Sequence, residues 1–318
     1  MSDSYIGVDV GGTKVAIAGL DGREFTPADI EPTELTSADA LIEQLVRMIA
    51  ARRTPSSRAV GIGVPSIVEF ATGRIRNSVN IPLVDVPLRA LLTERVGLPV
   101  YVDNDANCAA LAEAHEDGRL TGTQLVMLTL GTGVGGGLVL NGRVFRGATG
   151  AAPELGHVTI GLDLAGGAPE QSDWPKAGSL EALASGSALD ELAEAAAGTH
   201  PDSALGRMLA ERGEVSGREA VEAAQQGDEV ALGVIDLLGQ RLGIGIANAI
   251  NTFDPFEVVI GGGASAAGEL LLAPARETAP RYTVPGVGTR TVIRLARHGA
   301  DAGVHGAALM AAHEEDQS

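Results

Sequence analysis

Three glycine-rich turns follow apolar runs in this sequence, and turns of this kind can bind phosphate. They contain Gly11 and Gly12, the run 131–137, and the run 261–263. Because glycine adopts positive φ readily and lets backbone N–H groups approach a ligand, each turn could surround phosphate oxygens. A tight turn without a ligand uses the same residues, so one turn alone leaves both interpretations open. Neither the P-loop pattern nor GxGxxG matches, and three such turns favour a nucleotide clamped between two lobes.

A carboxylate with an amide neighbour stands where a strand is predicted to become a helix. The segment VDNDANCAALAE begins as a strand at Val102 and is predicted to be helical by about Ala106. Asn104 and Asp105 therefore occupy a junction from which side chains point into a crevice in α/β proteins. In the alternative interpretation, Asp105 is a helix N-cap and Asn104 a turn former. Both interpretations stay open on the local sequence.

Two carboxylates and a histidine follow the second glycine-rich hairpin. Glu154 and His157 belong to PELGH, and Glu181 ends the loop that begins at this histidine. The loop has no amphipathic period and contains Trp174, the only tryptophan of the chain. His157 could hold a metal, a substrate or nothing, and a surface Glu–His pair is the alternative to a functional cluster.

Composition excludes several classes of protein. The chain has 318 residues, which predicts about two domains. One cysteine, Cys108, excludes an intramolecular disulfide and a cysteine-rich zinc site within the chain. A formal charge of −18 with scattered Lys and Arg argues against a nucleic-acid partner. There is no leader pattern and no apolar run of about 20 residues, so a cytoplasmic protein without a membrane partner is predicted.

The predicted elements alternate between strands and helices and contain one repeat. Residues 8–23 and 128–143 share an apolar run, a Gly/Thr turn, a second apolar run and an Asp-Gly or Asn-Gly pair, which predicts two β-hairpins. The other predicted strands are 58–70, 98–103 and 256–263, and the predicted helices are 37–53, with Ser37 as N-cap, and 228–255. This alternation predicts an α/β protein built by duplication, with a boundary near residues 115–124.

Five separated motifs resemble the ROK family of bacterial sugar kinases, whose best-known members are glucokinases. They are IGVDVGGTK, NDANCAALAE, LTLGTGVGGGLVLNG, PELGH and EVVIGGG, in the family's order and at about its spacing, from about residue 5 to 312. The resemblance implies a two-lobed, actin-like ATPase fold related to ribonuclease H, with a β-hairpin opening each lobe. It implies a smaller lobe at 1–118, a larger lobe at 119–300, and a C-terminal helix at about 301–318 that packs back on the first lobe.

The same resemblance implies ATP-dependent phosphorylation of a hexose at its 6-hydroxyl, most simply glucose, with Asp105 as general base. The residues implied to bind the hexose are Asn80, Asn104, Asp105, Glu154, His157 and Glu181. Those implied for ATP and Mg²⁺ are Asp9, Gly11, Gly12, Thr13, Lys14, Thr132, Gly133, Gly262 and Gly263. Asp9 would contact Mg²⁺ or its waters, and its alternative role is that of a polar residue at a strand end.

The loop between His157 and Glu181 departs from the family pattern. The family has a cysteine cluster there, whose three thiolates and the histidine bind a structural zinc. This chain has no cysteine in the loop, Ser179 stands where the last one would be, and the loop is about five residues longer. The sequence therefore predicts no zinc site, and Trp174 is expected to pack part of the loop down instead. Ser66 and Leu83-Val84 are further departures, which leave the identity of the sugar open.

Several alternatives accompany this interpretation. The substrate could be mannose, fructose or an N-acetylated amino sugar, and polyphosphate as donor is disfavoured because no basic groove is evident. A sugar-sensing repressor of the same family would carry a DNA-binding helix-turn-helix before the first glycine motif, and four residues precede the first predicted strand here. A non-catalytic sugar-binding relative would be expected to lack the aspartate or a glycine turn. The family resemblance also implies a homodimer or homotetramer.

Overall fold

The computed structural model describes residues 3–78 and 80–316. The chain folds into two compact units. The first unit comprises the described residues of Met1–Leu125, Gly137–Pro153 and Arg297–Ser318, and the second comprises Val126–Gly136 and Glu154–Ala296. The lobes predicted from the sequence, at 1–118 and 119–300, stay a prediction, because the two units are discontinuous in the chain.

The elements are named here in chain order. The strands are β1 (Ser4–Val10), β2 (Lys14–Asp21), β3 (Glu24–Phe25), β4 (Asp29–Pro32), β5 (Ser57–Val64), β6 (Ser66–Glu69), β7 (Arg74–Ser78), β8 (Val100–Asn104), β9 (His115–Glu116), β10 (Arg119–Leu120), β11 (Gln124–Leu130), β12 (Val134–Leu140), β13 (Arg143–Val144), β14 (Glu257–Gly261) and β15 (Val292–Leu295). The helices are α1 (Ala38–Arg52), α2 (Leu88–Val96), α3 (Asp105–Glu113), α4 (Leu180–Ala184), α5 (Gly186–Thr199), α6 (Ala204–Arg212), α7 (Gly217–Gln225), α8 (Glu229–Phe253), α9 (Glu269–Tyr282) and α10 (Ala302–Glu315). Short 3₁₀ turns occur at Leu155–His157, Gly263–Ala267 and Gly299–Asp301.

A mixed sheet with helices on it forms the first unit. Its strand order is β3-β2-β1-β5-β8, and β4 pairs with β2. The β1–β2 pair is antiparallel, whereas β1, β5 and β8 run parallel. An apolar cluster joins the strand residues Ile6, Val8 and Ile62 to Leu41 and Leu45 of α1, all buried. Burial of these side chains is the main force that holds the helices to the sheet, at about 25 cal/mol per Å² of apolar surface.

The C-terminal helix α10 packs on the first unit at backbone distance. It contacts β1, β5 and α3. A Cβ atom on Gly7, Gly61 or Gly306 would overlap the backbone of the facing element, so glycine is required at these positions for the strands and the two helices to approach. The helix predicted at about 301–318 is thus observed as Ala302–Glu315, and residues 317 and 318 lie outside the described part of the chain.

The second unit is built around the long helix α8. This helix packs on α9, α7, α5 and α4. By length and composition it is apolar enough to cross a membrane, and more than half of its most apolar stretch is buried inside the protein. Its contacts are those of a core helix. The strands β13-β12-β11-β14-β15 form a sheet in this order, and β11 and β12 each contribute residues to both units.

Most of the predicted elements are confirmed. The two glycine-rich hairpins are β1–β2 and β11–β12, and Ser37 caps α1 by accepting a hydrogen bond from the Ala40 N–H at 3.1 Å. The helix predicted at 228–255 ends at Phe253, before Pro255. The strand predicted at 58–70 is wrong in its extent, because β5 ends at Val64 and β6 begins in another sheet after Pro65. Proline has no N–H to continue a ladder, which explains the break.

Candidate active site

Asp105 is the first residue of α3, directly after β8. The N-cap is Asn104, whose Oδ1 accepts hydrogen bonds from the N–H groups of Ala106 at 2.9 Å and Asn107 at 3.3 Å. The capping role that the sequence left open for Asp105 therefore belongs to Asn104. The Asp105 carboxylate accepts a hydrogen bond from the Ala106 N–H at 2.8 Å. Burial raises its pKa from 3.8 to about 6, although hydrogen bonds from the backbone of Ala106 and Asp105 and from the Asn104 side chain oppose the shift.

Asp9, near the end of β1, is a second carboxylate with a perturbed pKa. Burial and then the negative charge of Asp105 raise its pKa from 3.8 to about 7, and Lys14 opposes the shift. The start of α10 closes over it, since a Cβ on Gly303 would lie 2.6 Å from the Asp9 Cγ. Two mostly buried carboxylates thus influence each other in the first unit. A divalent cation beside them would favour their ionised forms.

The first glycine turn joins β1 to β2. The Gly11 N–H donates to the Lys14 carbonyl at 2.8 Å, and the side chains of Thr13 and Lys14 are exposed. Sequence reasoning missed Thr33, whose hydroxyl donates to the Gly11 carbonyl at 2.7 Å and so ties the turn to the residue after β4. Gly12 lies against Asn80, because a Cβ on this glycine would be 3.2 Å from the Asn80 Cβ. The turn therefore adjoins one predicted hexose ligand.

The second glycine turn joins β11 to β12 and is held by its neighbours in the second unit. The Gly186 N–H donates to the Gly131 carbonyl at 2.7 Å, and the Ser187 hydroxyl donates to the Thr132 carbonyl at 2.8 Å. Gly131 and Thr132 are exposed. An exposed turn with fixed carbonyls has its remaining backbone N–H groups positioned for a ligand.

A cleft of about 670 Å³ opens beside this turn, within the second unit. Gly263, at the end of β14, lines it together with Gly131 and Thr132. Gly262 has a φ of 83° and packs against Leu130, a conformation and approach that require glycine. The volume lies in the usual range for a small-molecule site.

Sequence reasoning missed most of the cleft wall. The missed lining residues are Leu130, Gly186, Ser187, Leu189, Asp190, Gly217, Arg218, Val221, Glu222, Gln225, Ala264 and Ala266. Leu130 is the last residue of β11, and the others come from α5, α7 and the turn after β14. A glycine at the start of α7, Gly217, could have pointed to this wall. A side chain there would overlap Leu189.

The predicted Glu154, His157 and Glu181 lie close together in the second unit. His157 Nε2 is 3.7 Å from Glu154 Oε2, and its buried Nδ1 has no hydrogen-bond partner among the described residues. Burial and the nearby Glu181 raise the pKa of Glu154, and His157 opposes this. Glu181 accepts a hydrogen bond from the Val134 N–H at 2.8 Å.

The loop that joins His157 to Glu181 is organised differently from the expectation. Trp174 is 66% exposed, so it does not pack the loop down by burial, and that expectation was wrong. Its indole instead meets the edge of the His157 ring, with centroids 4.9 Å apart, while the Lys176 ammonium lies 4.9 Å from the indole centroid. Polar contacts order the loop: Lys176 donates to the Gln171 carbonyl at 2.7 Å, and buried Ser179 caps α4.

The donor groups around His157 do not fit a structural zinc. The neighbouring side chains are Glu154 and Trp174, without a thiolate. Within residues 3–78 and 80–316, no three His, Cys, Asp or Glu side chains are placed to hold a metal ion. Asp9 and Asp105 do fit Mg²⁺ with its waters, because hard oxygen donors suit that ion and the two carboxylates are close enough for the charge of Asp105 to act on Asp9.

The comparisons with known proteins agree on one family. The sequence matches the ROK family over residues 5–314. It is 37% identical over 325 residues to a glucokinase of Halalkalibacterium halodurans, covering 99% of this chain and 97% of that protein. Its structure resembles a ROK family glucokinase from Streptomyces griseus in complex with glucose and AMPPNP, with a TM-score of 0.79, 33% identity and coverage of 98% and 99%. A ROK hexokinase from Thermus thermophilus gives a TM-score of 0.78, 35% identity and coverage of 99% and 100%.

The fold and these matches define the class of protein. The chain has the mixed α/β, two-lobed fold of ROK sugar kinases, which are members of the actin-like ATPase fold. It belongs to the ROK family.

Proposed function

We propose that this protein is an ATP-dependent hexose kinase that converts glucose to glucose 6-phosphate. The observation that carries the proposal is the Asp105 carboxylate at the start of α3, mostly buried, with a pKa of about 6. A general base must be ionised near neutral pH and still accept a proton late in the reaction, and this pKa meets both needs. The glucokinase relative and the glucose-bound glucokinase structure support glucose as the acceptor.

In the proposed reaction, the hexose 6-hydroxyl oxygen attacks the γ-phosphorus of ATP. The new O–P bond forms as the bond between this phosphorus and the β–γ bridging oxygen breaks, ADP leaves with that oxygen, and Asp105 takes the hydroxyl proton. Phosphoryl transfer depends mainly on alignment and on neutralising developing charge. Asp105 therefore acts first by orienting the hydroxyl and then by accepting its proton.

The other site residues are proposed to bind the two substrates. The hexose hydroxyls would pair with Asn80, Asn104, Glu154, His157 and Glu181. The phosphates would bind to the turns containing Gly11, Gly12, Thr13, Lys14, Thr132 and Gly133, and Gly262 and Gly263 would border the nucleoside. Mg²⁺ held by Asp9 through its waters would neutralise phosphate charge. An unpaired buried hydroxyl costs about 1–3 kcal/mol, so these pairs would also set specificity.

ATP is the proposed phosphoryl donor, and the AMPPNP bound to the glucokinase of Streptomyces griseus supports it. Another hexose as preferred acceptor stays the alternative, because the loop at 158–180 departs from the family pattern. A cytoplasmic homo-oligomer without nucleic-acid or membrane partners completes the proposal.

The pH dependence of the reaction follows from the pKa of Asp105. The ionised carboxylate is the active form, so kcat/KM for the hexose is expected to rise with pH and to be flat above about pH 7. Its midpoint is expected at or below the pKa of about 6, because bound Mg²⁺ would favour the ionised form. Initial rates between pH 5 and 8.5 at fixed free Mg²⁺ measure this profile. A kcat/KM that falls as the pH rises from 5 to 7 would contradict the role of Asp105.

ADP release over a panel of hexoses tests the proposal as a whole. Purified protein with ATP and Mg²⁺ is given glucose, mannose, fructose, N-acetylglucosamine or N-acetylmannosamine, and ADP is measured through pyruvate kinase and lactate dehydrogenase. Glucose is expected to give the highest kcat/KM. ADP release that does not depend on any sugar would refute the proposal, and a higher kcat/KM with another sugar would replace glucose by that sugar.

A further inference from the structure

The Glu181 carboxylate lies against the backbone of the phosphate turn as well as beside the hexose residues. Its Oε2 accepts a hydrogen bond from the Val134 N–H at 2.8 Å. A Cβ on Gly133 would overlap this oxygen and lie 3.0 Å from the Glu181 Cδ, so glycine at this position lets the carboxylate reach the turn. The carboxylate thus fixes the side of the turn that leads into β12.

The turn has few other supports. Gly131 and Thr132 are exposed, and their carbonyls are bonded by Gly186 and Ser187 at the start of α5. Glu181 lies in α4, which ends one residue before α5 begins. All three supports therefore come from residues 181–187. This short segment sets the geometry of residues 131–134.

Within the described part of the chain, the second oxygen of the Glu181 carboxylate, Oε1, is free to bind a ligand. Among the described residues, no hydrogen bond reaches Glu181 Oε1, whereas Oε2 is engaged by Val134. The negative charge of Glu181 raises the pKa of Glu154, so the carboxylate is close enough to the Glu154–His157 pair to act on it electrostatically. One oxygen is committed to the turn and the other is available to a hydroxyl beside Glu154.

We infer that Glu181 is a positioning residue that couples hexose binding to the geometry of the phosphate turn. This inference rests on the proposed function and deepens it. A hexose hydroxyl that donates to Oε1 restrains the carboxylate, and the restrained Oε2 holds the Val134 N–H and the turn in place for the phosphates. Because coupling between two ligands is reciprocal, hexose raises the affinity for nucleotide and nucleotide raises the affinity for hexose by the same factor.

Two variants of Glu181 separate the effect of side-chain length from the effect of charge. Glu181→Asp keeps the charge but withdraws the carboxylate by one methylene, so it cannot reach the Val134 N–H. Glu181→Gln keeps an acceptor oxygen at the same reach. Calorimetric titration of Mg²⁺–AMPPNP in the absence of sugar is expected to show about tenfold weaker binding for Glu181→Asp, the effect of losing a hydrogen bond to a charged group. Glu181→Gln is expected to stay within about threefold of the wild type, because the neutral acceptor retains the bond.

The same titrations with saturating glucose measure the coupling. The wild type is expected to bind AMPPNP more tightly with glucose, and Glu181→Asp is expected to lose this gain. Glu194→Ala, at an exposed carboxylate on α5, is the control and should match the wild type in both titrations. Circular dichroism melts verify that each variant is folded.

Unchanged AMPPNP affinity in Glu181→Asp without sugar would overturn the inference and leave Glu181 as a hexose ligand only. Absence of any coupling in the wild type would overturn it as well. Failure of the proposed function is a separate result, seen as missing hexose-dependent ADP release by the wild type. The sugar-free titration is independent of that outcome.

Discussion

Asp105→Asn is expected to lower kcat for the hexose by about 10²- to 10⁴-fold, the usual contribution of a general base. Asparagine keeps an oxygen that can accept the hydrogen bond from the Ala106 N–H, so the start of α3 should be unchanged. It cannot accept the proton of the 6-hydroxyl. The hexose KM is expected to change less than kcat, because the amide can still hydrogen-bond to the hydroxyl. Steady-state ADP release with varied hexose measures both constants.

The same variant carries an expectation for stability. The pKa of Asp105 is higher in the folded protein than in the unfolded chain, so folding favours the protonated carboxyl group. The stability gained from the protonated group is complete below about pH 4 and is lost as the pH rises through about 6. At pH 8, Asp105→Asn is therefore expected to have a Tm equal to or higher than the wild type, as at many sites that exchange stability for activity.

Asp39→Asn is the control for both measurements, because Asp39 is an exposed carboxylate in the first turn of α1. It should leave kcat unchanged and the Tm nearly so. An Asp105→Asn protein with more than a tenth of the wild-type kcat would exclude Asp105 as the general base.

Gly306→Ala is expected to destabilise the first unit. A Cβ at this position would overlap the carbonyl oxygen of Cys108 in α3, and backbone atoms cannot move aside as a flexible side chain could. Overpacking of this kind costs about 1–3 kcal/mol, occasionally more. At about 2–4 °C per kcal/mol, we expect the Tm to fall by about 2–12 °C. Thermal unfolding followed by circular dichroism measures the change.

Gly233→Ala is the matched control, since Gly233 is an exposed glycine inside α8 with no atom within 4 Å of an added Cβ. Replacing it should raise stability by up to about 1 kcal/mol, because alanine favours the helix. A Gly306→Ala protein as stable as Gly233→Ala would mean that α3 and α10 do not meet at backbone distance.

The sequence predicts the elements whose signals are local. Ser37 and the apolar period after it indicate α1, and the Asp-Gly and Asn-Gly pairs indicate where the hairpins turn. Pro65 was also a local signal, but the apolar run around it hid the passage from β5 to β6. Continuous apolar character reports burial without saying which sheet a strand joins.

The candidate site is less accessible to sequence reasoning where it depends on contacts between distant segments. The motif that contains Asp105 is recognisable by its letters. The bond from the Val134 N–H to Glu181 joins residues far apart in the chain, and it required the folded unit to be found. The contact between Trp174 and His157 also required the folded structure to be found, as did the exposure of most of the indole.

The site of phosphorylation tests the central claim most directly. Wild-type protein, glucose, ATP and Mg²⁺ are incubated together, and the products are followed by ³¹P NMR, with a parallel sample of Asp105→Asn. The account predicts ADP and a phosphate monoester whose phosphorus couples to the two protons on carbon 6, with almost no ester in the Asp105→Asn sample. Inorganic phosphate without a sugar ester, or an ester at another carbon, would contradict it.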